Sequence, residues 1–487
     1  PDNSPIPYPK QLTSGCWGCK IRVMPVLKRT MFREYDLRGR ESEDELNDTS
    51  VYYIGRGFGA FLNKRNIKQA IVGHDARGTS ESFHSQIIKA LIESGIDVID
   101  IGCVTTPMSY WSQYYLKVKG LVMVTASHNP AGWNGLKLGT DLSYTLLTDE
   151  IKEVYDTITN ETFVNGQGSV RKEDIKEAYF TDLLSRAKIT KKFKILVNTG
   201  NGTAGLFAPE ILKRAGCEVV EHYTEVDPSY PHYTANPDGT AMMEDTGKQT
   251  TANGCYLGFA FDGDCDRLGL VDEKGDTVWP DRYIILLSRL VLSKNPGAKI
   301  VFDVKVSEAL PEDIKAHGGQ PIMWKTGHSY IKSKLAEEKA AMAGEMSGHI
   351  FFVQDYYGFD DAIFAALKML EYLSTQDKPL SEIVASTPYY VSTPTIQVQA
   401  TDEDKYDIVT KLVKEFKDEG YNVVDINGAR VYIDGGWGVV RASSNTPTLV
   451  LRFEGKTQEE LDKIKDIFKT KLDKFDKVSK EWDTSGH

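Results

Sequence analysis

The chain has no apolar run of the roughly 18 residues that a membrane-spanning helix requires, although 41% of its 487 residues are hydrophobic. The expectation is therefore a protein outside the membrane. Cysteine is scarce: six residues cannot staple a chain of this length into a disulfide framework. Cys103, Cys217, Cys255 and Cys265 are scattered. Cys16 and Cys19 form a lone CxxC with no second pair to complete a zinc site. Plain reduced thiols are expected. Positive charge is in deficit, with 58 Lys and Arg against 69 Asp and Glu, a net charge of −11. That argues against nucleic acid or an anionic membrane surface as partner. It leaves room for an anionic small molecule in a locally positive cleft. The stretch PDNSPIPYPKQLTSGCWGCK (1–20) lacks the apolar core of a secretory signal, so a cytoplasmic setting is expected. Residues 1–28 read as an irregular arm.

What is present is a grammar that repeats. QAIVGHDARGTSESFHSQIIKALIESGIDVIDIG begins at Gln69, KILVNTGNGTAGLFAPEILKRAGCEVVEHY at Lys194 and AKIVFDVKVSEALPEDIKAHGGQPIMW at Ala298. Each starts with a short apolar run. A polar loop, an amphipathic helix, a glycine and a second apolar run follow. That order is the parallel strand–helix–strand unit. After residue 390 the texture changes to strand, helix, a meander of strands and a closing charged helix. The expected architecture is three similar α/β domains with mixed sheets, then a C-terminal α+β domain, around a central cleft. The boundaries read as an arm at 1–28, α/β domains at 29–172, 173–278 and 279–390, and the α+β domain at 391–487.

Four loops look chemical. In LVMVTASHNPAGWNGLKLG (121–139) a buried-strand pattern ends at Ser127, in a loop that Pro130 and Gly132 keep irregular. In GCYLGFAFDGDCDRLGLVDEKGD (254–276) another apolar run delivers Asp262, Asp264 and Asp266. In an extended backbone these three carboxylates share one side, where they repel unless a cation sits among them. Oxygen-only ligands suit a hard ion, Mg²⁺ first. Arg267 follows, able to brace a carboxylate or a phosphate. The competing reading is an EF-hand, because Glu273 completes the acidic spacing, but Arg267 occupies the position that needs glycine. In AGEMSGHIFF (343–352) Glu345, Ser347 and His349 alternate and can share a face, suited to vicinal hydroxyls. In VVRASSNTPTLVLRFEG (439–455) Arg441 leads Ser443, Ser444, Asn445 and Thr446 between two strands, a way to hold phosphate without a metal. Lys305 and His328 add basic groups.

TASHNP, DGDxDR, GEMSGH and the Arg-Ser-Asn-Thr-Pro loop, in this order and at these separations, resemble the α-D-phosphohexomutases. The likeness runs from about Phe32 to the final helix. The GEMSGH form is similar to the phosphomannomutase/phosphoglucomutase branch, since the phosphoglucosamine mutase loop carries Gln where Met346 stands. The resemblance implies Ser127 as the phosphoserine, and Mg²⁺ held by Asp262, Asp264, Asp266 and the Ser127 phosphate. It implies Glu345 and Ser347 on the sugar O3 and O4 hydroxyls, and Arg441 with Ser443, Ser444, Asn445 and Thr446 on the unreacting phosphate. Ser444 departs from the usual Asn, which weakens the carry-over to Asn445 and Thr446. Tyr35, Arg38, His128, Lys137, Lys305, His328 and His349 match cleft positions, with His349 and Lys137, aided by Arg38, as general-base candidates. The implied reaction interconverts hexose 1- and 6-phosphates through a 1,6-bisphosphate, with glucose 1,6-bisphosphate as activator. A glucosamine phosphate mutase and a silent sugar-phosphate binder are the alternatives. Sequence does not separate a monomer from a homodimer.

Overall fold

The computed structural model describes residues 27–444 and 446–482. Cys16, Cys19 and Asn445 lie outside the described residues.

One strand plan occurs three times. In the first sheet Gln69–His74 lies between Asp97–Cys103 and Gly120–Val124, both parallel to it, and Gly120–Val124 folds back into antiparallel Trp133–Asp141. In the second, Lys194–Asn198 lies between parallel Glu218–His222 and Leu257–Phe261, and the latter folds back into Leu268–Val271. In the third, Lys299–Asp303 lies between parallel Gln320–Trp324 and Met342–Gly344, which folds back into Ile350–Phe352. The three strand–helix–strand units read from sequence are the parallel pairs, joined by helices Ser80–Glu93, Ala208–Arg214 and Ala309–Ala316. The first sheet also gains Leu37–Arg40 and Val170–Lys172 at its edges. The sheets are mixed, as expected: the strand–helix alternation gives the parallel pairs, and the fold-back hairpins add the antiparallel ones.

The physical cause is visible in the strands themselves. Gly120–Val124 and Leu257–Phe261 are buried at every position, as strands covered on both faces must be. One continuous core gathers Met123, Phe259 and Phe302 from the three sheets, with Leu286 and Phe364 from helices of the third unit. The outer face of the first sheet has its own core, built on Phe58, Ile87 and Val124.

The C-terminal unit is antiparallel. Ala429–Ile433, Gly436–Ala442 and Thr448–Gly455 form the meander, with helices Lys405–Asp418 and Gln458–Leu472 packed on it through Leu412, Phe453 and Phe468. It is fastened to the third sheet by buried arginines. Arg430, fully buried, donates from Nη1 to Val304 O (2.6 Å) and Val306 O (2.8 Å), and from Nη2 to Glu308 Oε1 (2.6 Å). Arg452 reaches Lys305 O and Asp281 Oδ2 (2.7 Å).

The fold-back hairpins have a consequence for the site. Loops 125–132, 262–267 and 345–349 occupy the same place in the three sheets, at the carboxyl ends of parallel strands, where open α/β sheets gather ligands. The fourth loop, 443–447, joins the hairpin strands of the C-terminal sheet.

Arg430→Ala leaves two buried carbonyls without their donor. It is expected to remove on the order of 3 kcal/mol and to lower the first transition in a calorimetric scan. An unchanged scan would show that Arg430 does not anchor the C-terminal unit.

Candidate active site

Ser127 follows a strand that ends at Val124 and adopts a left-handed backbone, φ 50°. A non-glycine residue held there costs on the order of 1 kcal/mol. The side chain is 3% exposed. Its Oγ donates to Asp262 Oδ2 (2.9 Å), and His128 Nδ1 lies 3.1 Å from Ser127 Oγ. The Ser127 amide donates to Thr125 Oγ1 (2.9 Å).

The three aspartates meet, though not as alternate residues of a strand. The strand ends at Phe261 and the chain curls, with Cys265 at φ 68°. Asp262 Oδ1 accepts from the amides of Asp266 and Arg267, both at 3.0 Å. The turn brings carboxylate oxygens of Asp262, Asp264 and Asp266 within 4.8 Å of one another, all fully buried. Asp264 Oδ2 accepts from Thr106 Oγ1 (2.5 Å) and Thr125 Oγ1 (3.2 Å), whereas its Oδ1 has no hydrogen-bond partner among the described residues. A buried orphan oxygen among all-oxygen donors fits a hard divalent cation. The EF-hand reading fails, because Glu273 points elsewhere and accepts from the Ser381 hydroxyl (2.5 Å) and amide (3.2 Å).

Positive groups from other loops neutralise this cluster. Lys137, 1% exposed on the returning strand of the first sheet, pairs with Asp266 and lies 3.3 Å from Asp264. His349 Nε2 donates to Asp266 Oδ1 (3.1 Å). Burial opposes charge on all of these groups, and the balance differs from one to the next. Burial, with Asp266 and Asp264 beside it, pushes the Asp262 carboxyl well above the usual carboxylate range. For Asp266, burial is outweighed by Lys137 and His349, which hold it well below that range. Burial also opposes the charge of Lys137, yet Asp264 and Asp266 raise it well above an ordinary lysine. His349 is raised to about 10, since Asp266 and Glu345 overcome its burial. Both general-base candidates thus hold their protons in this arrangement.

Glu345, Ser347 and His349 also converge through a turn rather than along a strand. The strand stops at Gly344, and a tight hairpin closes with the Glu345 amide on His349 O (2.9 Å). Glu345 Oε2 accepts from His349 Nδ1 (3.0 Å), and Oε1 accepts from the Gly327 amide (2.6 Å). Ser347 Oγ lies 3.4 Å from His349 Nδ1. The hairpin is clasped to the aspartate loop, since Arg267 pairs with His349 and the Leu268 amide donates to Gly348 O (3.0 Å).

In the fourth loop Arg441 Nη2 donates to Ser444 Oγ (3.2 Å). Ser443 and Thr446 share a hydroxyl contact of 2.8 Å. A cleft of about 320 Å³ is lined by Tyr35, His128, Arg267, Lys305, Glu345, Ser347, His349, Arg441, Ser443, Ser444 and Thr446. Arg38 and His328 lie one layer deeper, both on Asp36: Arg38 Nη2 donates to Oδ2 (2.9 Å) and His328 Nε2 lies 3.6 Å from it. Arg38 also donates to Thr125 O, and His328 packs edge-on against Tyr35.

Four family profiles match in succession: the phosphoglucomutase/phosphomannomutase alpha/beta/alpha domains I, II and III over residues 29–165, 177–275 and 279–390, and the C-terminal domain over 396–471. A phosphomannomutase/phosphoglucomutase of Pseudomonas putida is 40% identical over 450 residues, 92% of this chain and 97% of that protein. The chain belongs to the α-D-phosphohexomutase family. A phosphoglucomutase of Neisseria gonorrhoeae is 38% identical over 92% of this chain and 98% of its own. A crystal structure of a phosphoglucomutase/phosphomannomutase family protein from Burkholderia thailandensis superposes with a TM-score of 0.86 at 35% identity, covering 92% of this chain and 98% of that one. Among the described residues no helix is long and apolar enough to cross a membrane.

Sequence reading missed several parts of this phosphohexomutase site. Thr106 and Thr125 serve Asp264 from two different places in the chain. Asp36 gathers Arg38 and His328. Lys405, 2% exposed, lies under the fourth loop and donates to Ser443 O (2.6 Å) and Thr446 O (3.0 Å). Apart from the Asp36–Arg38 pair, two residues apart, these contacts join residues far apart in sequence, and no local pattern marks them.

The raised Asp262 carboxyl fixes the sign of one pH dependence. A proton held there must leave when a cation binds, so Mg²⁺ affinity should rise with pH. Calorimetric titration in two buffers of different ionisation enthalpy is expected to show proton release on binding. Asp264→Asn should weaken binding about 10-fold or more. Binding without proton release would contradict the raised carboxyl.

Proposed function

We propose that this protein is a phosphomannomutase/phosphoglucomutase that interconverts the 1- and 6-phosphates of mannose and glucose through phosphoserine 127 and a 1,6-bisphosphate. The observation that carries the reading is the meeting of Ser127 Oγ with the aspartate cluster, 2.9 Å from Asp262, beneath a cleft whose wall includes Arg441 and Ser443. One end of that cleft suits transfer of a phosphoryl group and the other suits holding one.

The chemistry follows from the substrate. O1 and O6 lie on opposite sides of a hexose, so direct transfer within one bound sugar is geometrically poor. A phosphate carried by Ser127 reaches whichever hydroxyl is presented. The free hydroxyl attacks the phosphorus, the bond to Ser127 Oγ breaks, and a bisphosphate forms. After the sugar turns, Ser127 Oγ attacks the other phosphate and the 1,6-bisphosphate becomes the isomeric monophosphate. Phosphoryl transfer is catalysed chiefly by positioning and charge neutralisation. Mg²⁺ on Asp262, Asp264 and Asp266 would supply electrostatic stabilisation of the charged phosphoryl oxygens. Arg267 and Lys137 add fixed positive charge from the protein.

His349 spans the aspartate loop and the sugar loop through its two ring nitrogens. Since both ring nitrogens donate to carboxylates here, His349 must first lose one proton; we assign the nitrogen so freed the proton of the reacting hydroxyl, with Lys137 retained on its carboxylates. Glu345 and Ser347 read O3 and O4, which stay near the axis when the sugar turns. Glucose and mannose differ at O2, so a loop that reads O3 and O4 accepts both. Arg441, Ser443, Ser444 and Thr446 bind the idle phosphate in either orientation. Glucose 1,6-bisphosphate, by rephosphorylating Ser127, is the activator. A cytoplasmic setting fits a charged sugar phosphate that does not cross membranes unaided.

A coupled assay with Mg²⁺ and a trace of glucose 1,6-bisphosphate tests the reading. Mannose 1-phosphate and glucose 1-phosphate should turn over with kcat/KM within about 10-fold of each other. Ser127→Ala should lose at least about 1,000-fold in kcat, as loss of a nucleophile does. Turnover confined to glucosamine 1-phosphate would keep the chemistry and overturn the sugar assignment. No turnover at all would favour a binding protein.

A further inference from the structure

The strained Ser127 loop is held at its start by the Thr125 hydroxyl and by Arg38 on Thr125 O, and those contacts do not reach its later carbonyls. The brace is Arg77, in the turn after the central strand of the first sheet, 6% exposed. Its Nη2 donates to Ser127 O and Asn129 O, both at 2.6 Å. Its Nη1 donates to Pro130 O (3.0 Å) and Trp133 O (3.2 Å). A single guanidinium therefore takes three carbonyls of the loop that carries the nucleophile and the first carbonyl of the strand that follows it.

The brace is itself braced. Arg77 Nε lies 3.3 Å from Asp75 Oδ2, and Asp75 Oδ1 accepts from the Arg77 amide (3.1 Å) and Ser80 Oγ (2.5 Å). The ring of Tyr230, from the second α/β unit, lies 5.2 Å from the guanidinium carbon. The neighbouring Ala76 amide donates to Thr203 Oγ1 (3.0 Å), and the Thr203 amide donates to Gly263 O in the aspartate loop (2.9 Å). Gly263 closes the other side of Ser127, since a Cβ there would stand 2.4 Å from Ser127 O. The Ser127 carbonyl is thus enclosed between Arg77 and the backbone of the aspartate loop.

We propose that Arg77 is a positioning residue for phosphoryl transfer. It turns the loop carbonyls away from the cleft and holds Ser127 in its left-handed conformation, so that Oγ keeps one position relative to the aspartates with and without its phosphate. The proposal rests on the reading of Ser127 as the phosphorylated nucleophile. Arg77 touches neither substrate nor the reacting oxygen, so its effect belongs in kcat. Its rigid fork of donors has no equivalent in lysine, which offers a point charge on a flexible stem. Displacement of a reacting atom by about 1 Å costs on the order of 100-fold in rate.

The test compares wild type, Ser127→Ala, Arg77→Lys, Arg77→Ala and Asp75→Asn, with thermal melts to establish folding. Steady-state kinetics use glucose 1-phosphate with glucose 1,6-bisphosphate. Arg77→Lys is expected to lose about 100-fold in kcat with KM within about 3-fold, the split that marks an interaction used in the chemical step. Added guanidinium ion is expected to restore about 10-fold of the kcat lost in Arg77→Ala, and nothing in Ser127→Ala. Should both Arg77 variants fail to fold, Asp75→Asn carries the test, since it loosens the guanidinium without removing it. A fall in kcat of about 10-fold at unchanged KM is then expected. Wild-type kcat in folded Arg77→Lys or, in that fallback, in Asp75→Asn overturns the proposal, as does a loss confined to KM. An inactive wild type, or an active Ser127→Ala, overturns the nucleophile assignment instead and is read separately.

Discussion

Three carboxylates that share 4.8 Å of fully buried space cannot all carry charge unless positive groups are brought to them. Much of the arrangement answers that constraint. Lys137 comes from the first sheet, His349 from the third, and Arg267 from the aspartate loop itself. Thr106 and Thr125 supply neutral donors to Asp264. No single unit contains the charge balance of its own loop, so the first three units must assemble before the site is electrically tolerable. The continuous core beneath the three sheets holds them in that relation.

The repeat explains why so much was legible in the sequence. Each strand–helix–strand unit announces itself by apolar runs and a glycine, and the fold-back hairpin follows the third parallel strand each time. Ser127, Asp262 and Glu345 each stand just past such a strand, at topologically equivalent positions. A buried-strand pattern ending in polar residues was therefore a sound guide to the loops. Period-two alternation was a poor guide to their internal shape. The aspartates and the Glu345–His349 group converge because their chains curl after the strand stops, with backbone amides on carboxylate and carbonyl oxygens. Such turns are closed by amide-to-oxygen bonds within each loop that an alternation pattern does not register, and the two loops are then clasped together by the Leu268 amide on Gly348 O. Remote contacts bring in further parts: Asp36 meets His328, Lys405 meets the fourth loop and Thr106 meets Asp264.

The two poles of the cleft are built on different physics. At the aspartate pole, charge is buried and balanced group against group, which favours fixed geometry and a cation that stays. At the opposite pole, Arg441 contacts only neutral hydroxyl partners among the hydrogen bonds described for its side chain. Lys405, beneath the loop, is spent on its carbonyls and on Asp402 (2.7 Å). An arginine without a carboxylate to satisfy keeps its affinity for an incoming phosphate.

That difference bears on how the sugar could turn. The C-terminal unit is tied to the third by Arg430 and Arg452, buried and donating to main-chain carbonyls. Toward the first unit its contacts are of another kind. Tyr406, 47% exposed, donates to Glu34 Oε1 (2.7 Å), and Arg33 lies 3.6 Å from Asp402. Solvent-accessible polar contacts of this sort contribute little and exchange readily with water. The buried arginines resist separation, because parting them strands charge and carbonyls away from solvent. An opening of the cleft is therefore cheapest along the line between the first and fourth units, with the third as the fixed side. Such an opening keeps Lys305, whose carbonyl receives Arg452, beside the Arg441 strand while parting the first unit from the fourth.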